Sequence, residues 1–510
     1  MSLFARRYHA LLMNPPYIVP PTHEASEAYR ARYESAHRRF GMGAPFTERS
    51  FELLVPEGFV AQITSNAFMK REYGAPLVDT VLPRFDLHLI ADTSGCYIPG
   101  HGTPTVILAA RNRPPARDRV TIVGSRRGEP ETPRDHIGHV WNSILRGLGL
   151  PAELAPSGPT PIGLVWAKAL TKTCLALAKD IERAAKLRPE EAGPIAAAWI
   201  TTACGLRAFD VRRSRYEGSA TPDHEHLGQS FGRVCDALPF NDWFDADAGI
   251  NPCWRHTITD AWSARLRAEV ADVVRFEAIP REQQGRTDWI GDIYQGLDSV
   301  AVKKHAFCQT PWFVAKLLGG LSVGAALETF GAGATVLDPA CGTGHLLLEA
   351  FERLFLARAD PDDGAPEHTY PTCARLALSQ IAGGDLNPVA AAIAEWRLML
   401  AYLDHAQPRH LGLVPDDLPI HVEVGDALLT ERPEGYRPPA WVVAEADAAR
   451  EAKSQAQAEK KATRPTKAPA PPAPSAPSPE VEPPSLPALA PPARAVTPPR
   501  APSPQLSLFG

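Results

Sequence analysis

The stretch that most restricts what this 510-residue chain can become is Val336-Leu337-Asp338-Pro339-Ala340-Cys341-Gly342-Thr343-Gly344-His345-Leu346-Leu347-Leu348. A short apolar run of β character ends in Asp-Pro, passes through a turn with two glycines, and opens into a helical pattern that continues to Phe351. That is a strand, a turn and a helix of nucleotide-binding type. Gly342 and Gly344 admit backbone dihedrals closed to other residues and allow close approach of a ligand. The helix beyond them begins with unpaired N–H groups. The spacing is neither GxGxxG nor a phosphate loop with Gly-Lys-Thr, which argues against a dinucleotide or a nucleoside triphosphate. A flat polar group such as an adenosine is the expected guest.

A second stretch carries equal weight. Residues 8–17 read as a short buried strand running directly into Asn14-Pro15-Pro16-Tyr17. Two prolines fix the backbone, so the Asn14 amide and the Pro15 carbonyl are held rigidly at the strand's end. An exocyclic base amine is a poor nucleophile because its lone pair is conjugated into the ring. Two fixed acceptors that hold its hydrogens draw it towards tetrahedral geometry, and an adjacent aromatic such as Tyr17 stacks on the extruded base.

Taken together, the two motifs resemble those of S-adenosylmethionine (SAM)-dependent N6-adenine DNA methyltransferases, in particular BREX (phage growth limitation) enzymes and type IIG restriction-methylases. The resemblance covers 1–125 and 290–430. It implies an α/β, Rossmann-like fold with a mixed, mainly parallel sheet, and Asn14, Pro15, Pro16 and Tyr17 as the catalytic motif. Tyr97, ahead of the run Thr105 to Ala110 expected to form the last strand, takes the place of a second aromatic face for the base. For SAM it implies Thr310-Pro311 at a helix start for the methionine carboxylate, and the loop residues Asp338, Ala340, Cys341, Gly342 and Gly344. Asp385 and Leu386 close a second strand and are expected at the ribose hydroxyls. Asp426 and Ala427 close a third, with Asp426 expected at the adenine amine.

The order of the motifs departs from the commonest one, because Asn14 precedes Asp338. The expected organisation is a catalytic half at 1–125, a mostly helical insert for target recognition at 126–295, a SAM-binding half at 296–440 and a disordered tail at 441–510. Helical patterns fall at Val165 to Ala184 and Gly193 to Cys204. The net charge of −5 is unsuited to coating nucleic acid indiscriminately, so double-stranded DNA should meet a basic face. Arg207, Arg212, Arg213 and Arg215 are the phosphate contacts expected on the insert.

Eight cysteines without a close CxxC pair speak for a reduced compartment. His224, His226, Cys235, Cys253 and His256 are too irregularly spaced to read as a metal site. The first residues lack a signal-peptide core and no apolar run reads as membrane-spanning, so a cytoplasmic protein with no membrane partner is expected. The tail is dense in Pro, Ala and Ser and cannot bury enough apolar surface to fold. It ends in Gln505-Leu506-Ser507-Leu508-Phe509-Gly510, which resembles the peptide by which bacterial proteins dock on the sliding clamp. Gln505, Leu506, Leu508 and Phe509 are its expected contacts. Rival readings are methylation of protein glutamine or RNA, and a non-catalytic subunit that depends on other defence-system proteins.

Overall fold

The structure is a computed structural model. It describes residues 2–94, 103–124, 144–150, 161–217, 243–244, 249–271, 289–297, 310–359, 369–408, 413–444 and residue 455. Residues 1–448 form one compact unit. The tail from 449, with its terminal Gln505 to Phe509 peptide, lies outside the described residues apart from Gln455.

Among the described residues the strands are β1 Tyr8–Met13, β2 Leu54–Ser65, β3 Asp86–Asp92, β4 Thr105–Arg111, β5 Thr121–Gly124, β6 Val336–Asp338, β7 Ile381–Asp385 and β8 His421–Val424. They form one sheet of order β5-β3-β4-β2-β1-β6-β7-β8. β1 pairs in parallel with both β2 and β6, and β6-β7 and β7-β8 are also parallel. Only β4 runs against the rest, being antiparallel to β2 and to β3. This is the mixed, mainly parallel α/β arrangement expected for a Rossmann-like methyltransferase. The expectation that the run from Thr105 makes the last strand of the amino-terminal half is corrected. β5 adds an edge strand parallel to β3, and with only Val123 of its four residues buried it has no apolar pattern to announce it.

The central strands are buried on both faces, so their residues alternate between two cores. Ala10 and Leu12 of β1 join the core on one face, and Leu11 and Met13 join that on the other. Val336 and Leu337 divide in the same way. The second core is filled by α1 His23–Arg32 and α2 Gly43–Leu53, with Tyr29, Tyr33, Phe40, Phe46 and Phe51. The first is filled by α3 Pro161–Ala185, α4 Pro189–Glu217, α5 Asp260–Glu269, α6 Trp289–Leu297, α7 Trp312–Gly319, α8 Ala325–Phe330, α9 His345–Ala359, α10 Tyr370–Ser379 and α11 Pro388–Ala406.

The described part of the expected insert is therefore mostly helical, and Trp199, Phe209, Trp243 and Phe244 of it are core. Phe209 and Phe244 both pack on the buried Trp396 of α11, at 5.8 and 4.4 Å between ring centroids. α4 extends past both ends of the periodic segment seen in the sequence. It contains Pro194 inside the helix, which leaves the Glu190 carbonyl without its i→i−4 donor. The helical run Trp312–Gly333 also corrects an expectation, because by length and composition it is apolar enough to cross a membrane. Its apolar character has a local cause: Phe313, Val314, Leu317, Leu318 and Val323 are all buried in the core under the sheet.

Candidate active site

Asn14 follows β1, Asp338 and Asp385 end β6 and β7, and Asp426 stands just beyond β8. Since these four strands are parallel neighbours, all four residues stand at the same edge of the sheet. From the boundary between β1 and β6 the sheet grows outward in opposite directions. Such a switch point is where open α/β sheets leave a crevice at the carboxyl ends of their strands. A cleft opens there, lined by Asn14, Pro15, Pro16 and Tyr17 from one side and by Thr310, Asp338, Ala340, Cys341, Gly342, Asp385, Leu386, Asp426 and Ala427 from the other.

The glycine turn has the geometry its composition demands. Gly342 and Gly344 have φ of 53° and 87°, in the region that favours glycine. A Cβ on Gly344 would also stand 3.1 Å from the Cβ of Ala394, so α11 packs directly on the turn. The Cys341 amide donates to the Gly384 carbonyl at 2.8 Å and the Gly342 amide to Asp385 Oδ2 at 2.8 Å, which ties the turn to β7. Asp385 Oδ1 accepts from the Asn387 amide at 2.7 Å, and Asp338 Oδ1 accepts from the Ala340 amide at 3.1 Å.

These hydrogen bonds orient the two carboxylates, but burial pushes both pKa values up. For Asp338 the nearby Asp385 pushes it further. Burial also pushes the Cys341 thiol up, with Asp385 and Asp338 adding to the effect, so it stays a neutral lining group. His345 is buried behind the turn. Its Nδ1 faces Arg397 Nη1 at 3.2 Å, and that same guanidinium nitrogen donates to the Thr343 carbonyl at 2.6 Å. Burial first, and the Arg397 charge second, hold the imidazole well below its usual range, so it is a neutral support for the loop.

On the catalytic side, Asn14 Nδ2 donates to Thr310 Oγ1 at 3.1 Å, and the Tyr17 hydroxyl donates to Asn14 Oδ1 at 2.5 Å and to the Ile63 carbonyl at 3.3 Å. Segments 296 positions apart thus meet through a hydrogen bond. Thr310 does not cap the following helix: the N-cap of α7 is Pro311, with no side-chain bond. Its hydroxyl is an acceptor for the Asn14 amide instead.

Not every expected residue gathers here. Tyr97 lies outside the described residues, as do the side chains of Arg213 and Arg215. The assignment of Arg212 to DNA phosphates is corrected. Its guanidinium is buried and pairs with Asp404 on α11 through two bonds, Nε to Oδ1 at 3.0 Å and Nη2 to Oδ2 at 2.7 Å. Arg207 is partly buried on the same helix. Conversely, Tyr29, Met42, Phe46 and His345 line the cleft without having been singled out. His345 adjoins the glycine turn and was within reach of a sequence argument. Tyr29 sits on a polar helix with no feature to mark it.

Comparison with known proteins agrees with this geometry. Residues 4–97 match the family model described as Eco57I restriction-modification methylase. A segment of 160 residues is 38% identical to the adenine-specific methyltransferase PglX of Streptomyces coelicolor, covering 29% of this chain and 13% of that protein. The type II methyltransferase M.PaeR7I of Pseudomonas aeruginosa is 37% identical over 81 residues, covering 16% of this chain and 14% of that one. M.XhoI of Xanthomonas vasicola is 31% identical over 133 residues, 25% and 24% of the two chains. The matched segments thus span less than a quarter of these relatives. The chain is similar to restriction-modification methylases of the Eco57I type.

Proposed function

We propose that this chain is a DNA methyltransferase that transfers a methyl group from S-adenosylmethionine to the N6 amine of an adenine extruded from double-stranded DNA, within a restriction-modification or phage-defence system. The observation that carries this reading is the convergence of Asn14-Pro15-Pro16-Tyr17 with Asp338, Asp385 and Asp426 in one cleft, joined by the Asn14 to Thr310 hydrogen bond. The residues present suit S-adenosylmethionine. Asp385 offers a carboxylate for ribose hydroxyls, Asp426 one for the adenine amine, and the positive-φ turn at Gly342 and Gly344 lets the backbone approach an adenosine. Leu386, largely exposed at the rim, offers an apolar surface for the adenine face. When bound, S-adenosylmethionine supplies an electrophilic methyl on a sulfonium.

The chain's own part is to prepare the amine. Asn14 Oδ1 is the acceptor for one amine hydrogen and the Pro15 carbonyl, fixed by its ring and by Pro16, for the other. Tyr17 now donates to Asn14 Oδ1. When the base enters, the amine takes over that acceptor and the Tyr17 ring is free to stack on the base. No strong base is needed, because the nitrogen's proton becomes acidic once it is alkylated. The alternatives, the amide nitrogen of protein glutamine and RNA, are disfavoured by the similarity to the family described as Eco57I restriction-modification methylase.

The test is methyl transfer from labelled S-adenosylmethionine to unmethylated duplex DNA, with the product nucleoside identified. N6-methyladenine is expected, and Asn14→Ala should lower its rate about 100-fold to 1000-fold, as loss of one fixed polar group aimed at the reacting centre does, while leaving cofactor binding intact. Absence of transfer with cofactor bound would favour a subunit that needs a defence partner. The tail is proposed to dock a sliding clamp through Gln505, Leu506, Leu508 and Phe509. In the same assay, clamp loaded on the DNA should speed the intact chain and leave unchanged a chain ending at Pro504. Equal response of both would remove the clamp from the reading.

A further inference from the structure

Between the catalytic motif and β2 lies a side chain with no role assigned so far. Tyr29 of α1 is buried, lines the cleft, and donates from its hydroxyl to Asp426 Oδ2 at 2.7 Å. The other oxygen of that carboxylate, Oδ1, accepts from the Leu428 and Leu429 amides at 2.9 and 3.2 Å. A carboxylate oxygen has two acceptor positions. One tyrosine on Oδ2 therefore sets where the remaining position points without consuming it. The Tyr29 ring is itself held edge-on to Phe40, with centroids 6.5 Å apart, so the hydroxyl cannot leave Asp426 without disturbing the core.

A neighbour provides the contrast. Tyr33, the C-cap residue of α1, donates to the Leu428 carbonyl at 2.6 Å. It supports the same turn but does not line the cleft.

We propose that Tyr29 is a cofactor-positioning residue, which holds the Asp426 carboxylate so that it selects a purine bearing a 6-amino group over one bearing a 6-oxo group. This rests on the reading of the cleft as an S-adenosylmethionine site. The hydroxyl donates to Oδ2, and so Asp426 presents an acceptor to the cleft. An amine donates to that acceptor, whereas a carbonyl oxygen is repelled by it. Tyr29 also belongs to the segment that follows Tyr17, so the residue that tunes cofactor recognition is made by the catalytic half of the chain.

The experiment measures, by calorimetry on the full chain, the dissociation constants of S-adenosylhomocysteine and S-inosylhomocysteine. Wild type is expected to bind the adenosyl compound and to prefer it. Tyr29→Phe, which keeps the ring and its packing, should lower that preference about tenfold, the scale of one hydrogen bond to a charged group. Tyr33→Phe should leave it unchanged, and in an Asp426→Asn background Tyr29→Phe should have no further effect. An unchanged preference in Tyr29→Phe, an equal loss in Tyr33→Phe, or additivity with Asp426→Asn would each overturn the proposal. Failure of wild type to bind either compound would instead remove the cofactor reading beneath it.

Discussion

At the scale of single residues, the candidate site is an arrangement of acceptors oriented by backbone amides. Asp338 is held by an N–H of the turn it begins and Asp385 by one of its own turn and one of the Gly342 turn, yet burial raises both pKa values. The sign of the resulting linkage follows. The folded chain binds these protons more tightly than the unfolded one, so their contribution to stability falls as pH rises above the ordinary aspartate range. A ligand whose hydroxyls need an ionised carboxylate there expels such a proton. Affinity for S-adenosylhomocysteine is therefore expected to rise with pH across that window, with proton release on binding, measurable by calorimetry in buffers of different ionisation enthalpy. Affinity that is flat from acid to neutral pH would show that neither aspartate changes protonation on binding. Much of this level was legible in the sequence. Asp338 and Asp385 each end a short apolar run, Asp426 follows an alternating one, and Asn14 is locked by two prolines. Tyr29 was not legible, because its meaning lies wholly in a partner 397 positions away.

At the scale of elements, the turn after β8 depends on α1 and α2 for its shape. Arg49 of α2 is fully buried and donates from Nε to the Ala427 carbonyl at 3.1 Å, and from Nη2 to the carbonyls of Phe4 at 2.8 Å and Glu431 at 2.9 Å. Its Nη1 pairs with Glu52 Oε2 at 2.5 Å. Arg49→Met would leave Glu52 and several carbonyls buried without this donor, which typically destabilises by about 3–5 kcal/mol. A thermal melt should show the loss, and a melting temperature equal to wild type would mean that water or Arg432 replaces the guanidinium. The same scale explains where the sequence misled. Arg207, Arg212, Arg213 and Arg215 are close in sequence, but closeness in sequence does not reveal that Arg212 faces Asp404 in the interior. The continuous apolar runs of β1 and β4 were legible to within a residue or two. β5 was not, since its four residues are mostly exposed.

At the scale of the whole molecule, the unusual order of motifs has no counterpart in space. β1 from the amino-terminal half and β6 from the other are hydrogen-bonded neighbours, with Ala10 opposite Val336 and Leu11 opposite Leu337. The start of the chain also lies close to the end of the compact unit. Ser2 Oγ donates to Glu423 Oε1 at 2.6 Å, Phe4 would collide with any Cβ placed on Gly384, and the Arg7 guanidinium lies 5.4 Å from the centre of the Tyr436 ring. A circular permutant that opens the chain between α5 and α6, and links the end of the compact unit to Ser2, would restore the commoner order. It is expected to fold and to bind S-adenosylhomocysteine within about tenfold of wild type, since termini that lie close together tolerate such rearrangement. A permutant that is soluble but does not bind would show that the connection, and not the sheet alone, shapes the cleft. The pairing of the two halves could be expected from the motifs, but the proximity of the termini could not, because it rests on single long-range contacts.

The central place of β1 has a further consequence for how the chain comes into being. β1 leaves the ribosome long before β6, the neighbour on its other side. At about 5–20 residues per second, the roughly 320 residues between Met13 and Val336 take about 16–65 s to synthesise. Throughout that interval the nascent amino-terminal half carries an apolar, unpaired strand edge in the middle of its future sheet, the kind of edge that invites pairing with other chains. A protein ordered in this way trades a protected start for a delayed closure, and its yield in the cell should depend on chaperones that shield β1 until β6 arrives.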